Sequence, residues 1–153
     1  APDESPRTAD DRQKKSISLM EDGKGCVIVR GLEEEFSKTK PFEGIKISLS
    51  VHLEAKTAYL CLVLAAGGAQ MSVTGSNILS TQDDVAAALA DAGLKVYAYH
   101  GATKEEYDRH IEMCLEHKAN IIIDDGGDLV GPEVLQQELP GKNQIIIARE
   151  IVV

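Results

Sequence analysis

The sequence lacks the motifs that mark several large classes of protein. Its three cysteines are odd in number and widely spaced, and no CxxC pair occurs. A disulfide framework or a structural zinc site is therefore not indicated, and we expect buried free thiols in a reducing compartment. The GxGxxG dinucleotide fingerprint, the phosphate-binding P-loop, the GxSxG elbow and the HExxH zinc motif are also missing.

Basic residues and long apolar runs are also scarce. Lys and Arg number 16 against 25 Asp and Glu, which gives a formal net charge of −9. Because non-specific binding to nucleic acid or an anionic membrane needs a basic surface, we expect neither partner. No apolar run could span a bilayer and the acidic start is unlike a signal peptide, so we expect a cytoplasmic protein.

The chain length of 153 residues suits one domain. Residues 1–24 hold two prolines, dense charge and few apolar side chains, which predicts a disordered or loosely attached tail. Residues 25–153 are then a single α/β domain. Within it, Cys26 to Arg30 suggests a short strand, and Gly31 to Phe36 a helical turn.

From residue 45 onward, strand and helix patterns alternate. We predict strands at Ile45–His52, Gln70–Ser76, Lys95–Tyr99, Asn120–Ile123 and Gln144–Ile147. We predict helices at Glu54–Ala66, Thr81–Asp91 (with Ser80 or Thr81 as N-cap), Thr103–Lys118 and Pro132–Leu139. Such alternation with short connections predicts a parallel sheet covered on both faces. The fold class is a three-layer α/β/α domain, Rossmann-like or flavodoxin-like.

The most informative segment is IIIDDGGD at residues 121–128, a buried strand that runs into an acidic loop. Ligands of open α/β sheets bind at this carboxyl edge. Asp124 and Asp125 are neighbours on an extended chain, so one can face a site while the other braces the loop. Asp128 could cap the following turn or reach a ligand. The clustered carboxylates leave a magnesium site as an alternative.

Three other predicted strands end in polar residues. His52 suits proton transfer near neutral pH, although a histidine tied to a neighbouring carbonyl is the alternative. Ser76 and Asn77 precede a helix and suit hydroxyl groups or an anion, although, taken alone, ordinary loop and cap chemistry is the better explanation. We assign no role to His100 or His110.

Several motifs, in order, resemble S-adenosylhomocysteine hydrolase, most closely its archaeal and thermophilic bacterial forms. They are KPFEGIKI at 40–47, HLEAKTAYL at 52–60, AGGA at 66–69, TGSN at 74–77, LSTQDDVAAAL at 79–89 and IIIDDGGDL at 121–129. The resemblance covers about residues 31 to 130 and implies the first part of the substrate-binding domain, which holds adenosine or S-adenosylhomocysteine.

The resemblance also implies roles for individual residues. Those matching His52 and Asp125 are catalytic acid/base groups near the ribose 5′ carbon. Those matching Glu54 and Lys56 lie beside the adenine. Those matching Ser76, Asn77 and Ser80 line the same pocket. We add Asp128 to the candidate substrate-binding residues because of its place in the loop after the predicted strand.

The family's cofactor is NAD, and the chain departs from the family where that cofactor would bind. After Val130 the family continues into a glutamate-rich segment, a catalytic lysine and an NAD domain, and residues 131–153 carry none of these. We therefore expect no cofactor in this chain, and no hydrolysis unless a partner chain supplies the missing parts. The alternatives are a non-catalytic α/β scaffold and a self-association domain that forms a homo-oligomer.

Overall fold

A computed structural model describes residues 27–129 and 145–148 of the chain. The helices are α1 (Val27–Thr39), α2 (Ala55–Ala66), α3 (Asp83–Asp91) and α4 (Lys104–Leu115). The strands are β1 (Lys46–Val51), β2 (Gln70–Gly75), β3 (Lys95–Tyr97), β4 (Ile121–Asp124) and β5 (Ile145–Ala148). Within these ranges no helix has the length and apolar character that crossing a membrane requires.

The five strands form one parallel sheet in the order β3-β2-β1-β4-β5. The sequence left two arrangements open, and this order is the Rossmann one, since a flavodoxin-like sheet runs 2-1-3-4-5. The chain proceeds outward from β1 to β3 and then returns to the other side of β1 for β4. The strand order therefore reverses between β1 and β4, and the predicted α/β/α class is confirmed.

The two faces of the sheet differ in chemistry. Alternate residues of each strand share a face, and the register pairs Ile47 with Met71 and Leu49 with Val73 on the apolar face. These four side chains are buried in the larger core, together with residues of α2 and α3. Helix α1 in turn packs against α2, where the Tyr59 hydroxyl donates a hydrogen bond to the Glu33 carboxylate.

The opposite face carries hydroxyl groups and is covered by α4. Its buried residues include Ser48, Ser50, Ser72 and Thr74 from the central strands. The Ser48 hydroxyl donates to the main-chain carbonyl of Cys114 in α4 over 3.0 Å. Because a hydroxyl buried against a helix needs a partner, this contact stabilises α4 at a fixed position over the sheet.

A CxxH pair at the end of α4 adds two contacts to β2. The Cys114 thiol lies 3.4 Å from the carbonyl of Ser72, and Nε2 of His117 lies 2.9 Å from the carbonyl of Gln70. Burial lowers the pKa of His117, which disfavours the protonated ring, while the hydrogen bond with Gln70 acts in the opposite direction. The two side chains thus bond separate carbonyls of one strand.

Two local predictions were wrong. Val27 to Arg30 belongs to helix α1 and is not a strand, because the apolar run continues into a glutamate-rich segment that packs on α2. The N-cap of α3 is Gln82, which makes no side-chain cap. The hydroxyls of Ser80 and Thr81, expected to cap that helix, both donate to the carbonyl of Asn77 instead.

The other elements agree with prediction apart from a few terminal residues. Helix α2 is buried as its apolar sequence indicated, and the final strand is β5. The predicted tail at residues 1–24, the predicted helix Pro132–Leu139 and Cys26 lie outside the described residues. Within those residues, the two cysteines, Cys61 and Cys114, are free and buried, as expected.

The capping box at the start of α4 gives a test of local stability. The Thr103 hydroxyl accepts from the Glu106 N–H over 3.2 Å, and the Glu106 carboxylate accepts from the Thr103 N–H over 2.7 Å. We expect Thr103→Ala to lower the free energy of unfolding by about 1 kcal/mol, measured by urea titration. The control is Thr39→Ala, which removes an exposed hydroxyl at the end of α1 that donates only to the carbonyl of Glu35 in the same helix and caps no helix N-terminus. An equal loss in both variants would contradict the assignment.

The buried thiols give a second test. Burial raises the pKa of Cys61 from 9.0 to about 12, and it also raises the pKa of Cys114. Because the thiolate is the reactive form, both should resist alkylation at pH 8 in the folded chain and react quickly in urea. A Cys26→Ser background isolates their signal in mass spectrometry. Rapid labelling of either thiol without denaturant would show that the core opens readily.

Candidate functional site

Three neighbouring strands end together at the point where the strand order reverses. The Asp125 N–H donates to the carbonyl of Ser50 over 2.9 Å. The hydrogen bonding between β4 and β1 therefore continues for one residue beyond the end of β4. On the other side, the Ser76 N–H donates to the carbonyl of Val51 over 3.2 Å. The residues that follow β1, β2 and β4 therefore lie side by side at the edge where Rossmann-type sheets bind their ligands.

His52 is exposed and follows directly on β1. Its ring nitrogen Nδ1 lies 2.6 Å from the hydroxyl oxygen of Ser80. Its main-chain carbonyl accepts from the Thr57 hydroxyl over 2.6 Å and from the Glu54 N–H over 3.0 Å. Contacts with two separate segments thus hold both the backbone and the ring of His52.

The loop after β2 is ordered by Asn77. Its side-chain oxygen accepts from the Leu79 N–H over 2.8 Å, which closes an Asx turn. Its main-chain carbonyl accepts from the hydroxyls of Ser80, over 3.2 Å, and Thr81, over 3.0 Å. Thr81 is buried against Gly75, where an added Cβ would lie only 2.6 Å from its hydroxyl oxygen. Gly75 is therefore required for this close approach.

The loop after β4 closes around the carboxylate of Asp124, which is only 2% exposed. One carboxylate oxygen accepts from the N–H groups of Gly126 and Gly127, over 3.2 Å and 3.0 Å, and the other accepts from Leu129 over 2.8 Å. Gly127 has a φ of 81°, a left-handed conformation that glycine adopts without strain. Of the two aspartates, Asp124 is the one that braces the loop.

Asp128 connects this loop to α4. Burial, followed by a hydrogen bond with the Asp128 carboxylate, raises the pKa of Tyr107. The Tyr107 hydroxyl also lies 3.4 Å from the carbonyl of Ser76, so it bridges the loops that follow β4 and β2. This role could not be predicted from the sequence, because at helical spacing Tyr107 is indistinguishable from a core residue of α4.

The other predicted site residues lie near the same edge. Glu54 is the N-cap of α2, and Lys56 stands in its first turn; both are exposed. The Ser76 hydroxyl is buried and has no hydrogen-bond partner among the described residues. His100 is held by its backbone, whose N–H donates to Asp83 over 2.7 Å, and by its ring, 3.1 Å from the carbonyl of Thr81.

The residues at this edge are unsuited to both a metal ion and NAD. In the part of the chain that the structure describes, no group of three or more His, Cys, Asp or Glu side chains could hold a metal ion. A dinucleotide on a Rossmann sheet needs a glycine turn after β1 and a helix N-terminus open to its pyrophosphate. Here the turn holds the buried side chain of Leu53, and the N-cap position of α2 carries the acidic Glu54, whose side chain makes no capping hydrogen bond but whose charge would repel a pyrophosphate. These residues do not fit NAD.

Comparison with known proteins identifies the family. The family model for S-adenosyl-L-homocysteine hydrolase matches residues 8–147. An adenosylhomocysteinase from Pyrococcus abyssi is 48% identical over 124 residues, 76% of this chain and 29% of its own length. This chain belongs to the S-adenosyl-L-homocysteine hydrolase family.

Further relatives carry two different names. An S-inosyl-L-homocysteine hydrolase from Methanocaldococcus jannaschii is 54% identical over 99 residues, 65% of this chain and 24% of that protein. An adenosylhomocysteinase from Thermococcus kodakarensis is 43% identical over 132 residues, 81% of this chain and 31% of that protein. The chain thus spans about a quarter to a third of the relatives it matches. The resemblance inferred from its motifs is confirmed.

The bracing role of Asp124 predicts a stability effect. Asp124→Asn retains one acceptor oxygen, removes the charge and should lower the free energy of unfolding by about 2 to 3 kcal/mol in urea titration. The matched control is Asp108→Asn, which removes an exposed ion pair with Lys104 and should cost less than about 1 kcal/mol. Equal effects in the two variants would show that the loop does not depend on Asp124.

Proposed function

We propose that this chain forms the nucleoside-binding part of an S-adenosylhomocysteine hydrolase, with His52 and Asp125 as its acid/base groups. The observation that carries the proposal is the pairing of β4 with β1 past the strand end, which places Asp125 beside the residue preceding His52. The same strand pairing brings His52 and Asp125 to the edge where the strand order reverses. Family membership supplies the chemical class of the ligand.

The remaining polar residues of this edge suit the hydroxyl groups of a ribose. Ser76 carries a buried hydroxyl without a partner among the described residues, and the Asn77 and Ser80 side chains stand in the adjoining loop. Asp128 lies in the loop after β4 and is hydrogen-bonded to Tyr107, whose hydroxyl also contacts the loop after β2. Hydroxyl and carboxylate oxygens in this arrangement can exchange hydrogen bonds with a sugar, while Glu54 and Lys56 at the start of α2 are placed to contact the base.

The proposed role is limited to ligand binding and proton transfer at His52 and Asp125. In the family, oxidation of the ribose makes the proton next to the oxidised carbon acidic enough to remove, and the residues present do not fit the NAD that performs it. We therefore expect the purified chain to release no homocysteine from S-adenosylhomocysteine, with or without added NAD. Steady homocysteine release in a thiol assay would contradict this expectation.

Binding is the direct test of the proposal. Calorimetric titration with adenosine should show weak binding, detectable at millimolar ligand, that is lost in His52→Ala and in Asp125→Ala. The relatives carry both adenosyl and inosyl names, so inosine is titrated in parallel to decide which purine is preferred.

The control variant for binding is Asp108→Ala, which removes a carboxylate on the exposed surface of α4. It should bind like the unchanged chain. Absence of binding by both nucleosides at millimolar concentration would reject the proposal and leave a structural domain.

A further inference from the structure

Two short contacts converge on the hydroxyl of Ser80. Its oxygen lies 2.6 Å from Nδ1 of His52 and 3.2 Å from the main-chain carbonyl of Asn77. The carbonyl can only accept, and the hydroxyl has a single proton. Both contacts must therefore be explained by where two protons lie, the one on the Ser80 hydroxyl and the one on the imidazole ring of His52.

Only one placement of the protons makes both contacts of Ser80 hydrogen bonds. If Ser80 donates to the carbonyl of Asn77, its oxygen accepts from a proton on Nδ1 of His52. If Ser80 instead donates to Nδ1, two oxygen atoms with facing lone pairs are left 3.2 Å apart, which is unfavourable. The first arrangement satisfies every group.

The acceptor carbonyl is held firmly in place. It also accepts from the hydroxyl of Thr81, which is buried against Gly75, and the Asx turn of Asn77 fixes the peptide that follows. The backbone of His52 is fixed by Thr57. The Ser80 hydroxyl therefore meets a rigid acceptor on one side and a positioned imidazole on the other.

We infer that Ser80 is a positioning residue that holds His52 in the Nδ1–H tautomer and leaves Nε2 as its basic nitrogen. Because Ser80 holds Nδ1–H, the ring can take up and release a proton at Nε2 without changing its orientation. The Nδ1–H···Oγ–H···O=C chain is the same for the neutral and the protonated ring. The catalytic use of Nε2 rests on the proposed function, whereas the tautomer does not.

The tautomer can be measured on the full chain by nitrogen-15 NMR of the histidine side chains at pH 8, with His52 assigned by its loss in His52→Gln. We expect Nδ1 in the range of protonated imidazole nitrogens and Nε2 in the unprotonated range. Ser80→Ala should shift the protonated signal towards Nε2. Ser80→Thr, which keeps a hydroxyl, should restore it. Ser37→Ala, which removes an exposed hydroxyl in α1, should change nothing.

The outcomes are distinct. An unprotonated Nδ1 in the unchanged chain overturns the inference, and this measurement needs no variant to fold. An unaltered tautomer in a folded Ser80→Ala variant also overturns it. Adenosine titration of Ser80→Ala should show about tenfold weaker binding, the equivalent of one lost hydrogen bond. A shifted tautomer with no adenosine binding in the unchanged chain supports the inference and rejects the proposed function.

Discussion

The central strand β1 is hydrogen-bonded to β2 on one side and to β4 on the other, and the arrangement of the site depends on this pairing. The register aligns Ser50 with Thr74 and with Asp124, so the three carboxyl ends finish at the same level. A slip of one residue would turn every side chain of β1 to the other face of the sheet. It would move serines into the aliphatic core, which disfavours any other register.

The same alternation gives the sheet two chemically different faces. The face under α2 and α3 is aliphatic, and its burial provides most of the hydrophobic stabilisation of the domain. The face under α4 is rich in hydroxyls and ends in the buried carboxylate of Asp124. Because a buried charge needs several donors, Asp124 organises the loop that presents Asp125. The exposed site is thus supported by a buried polar cluster.

The strand order of this domain is the one found in dinucleotide-binding proteins, yet the turn after β1 is unsuited to a dinucleotide. A fold therefore does not determine the ligand, and the side chains at the strand ends do. In this chain, His52 and Glu54 occupy the positions where a dinucleotide site has glycines and free helix amides.

The sequence by itself determined the order of strands and helices from residue 45 to 129, the α/β class, the family and most of the residues at the site edge. It could do so because hydrophobic periodicity and strand-end polarity are local properties of the chain. The tertiary structure alone decided three matters. Val27 to Arg30 belong to helix α1, which packs on α2; the return of the chain to β4 selected the Rossmann order; and the carbonyl of Asn77 drew Ser80 and Thr81 away from capping α3. Each depends on partners distant in sequence or on competition for one hydrogen bond, and no local pattern records either.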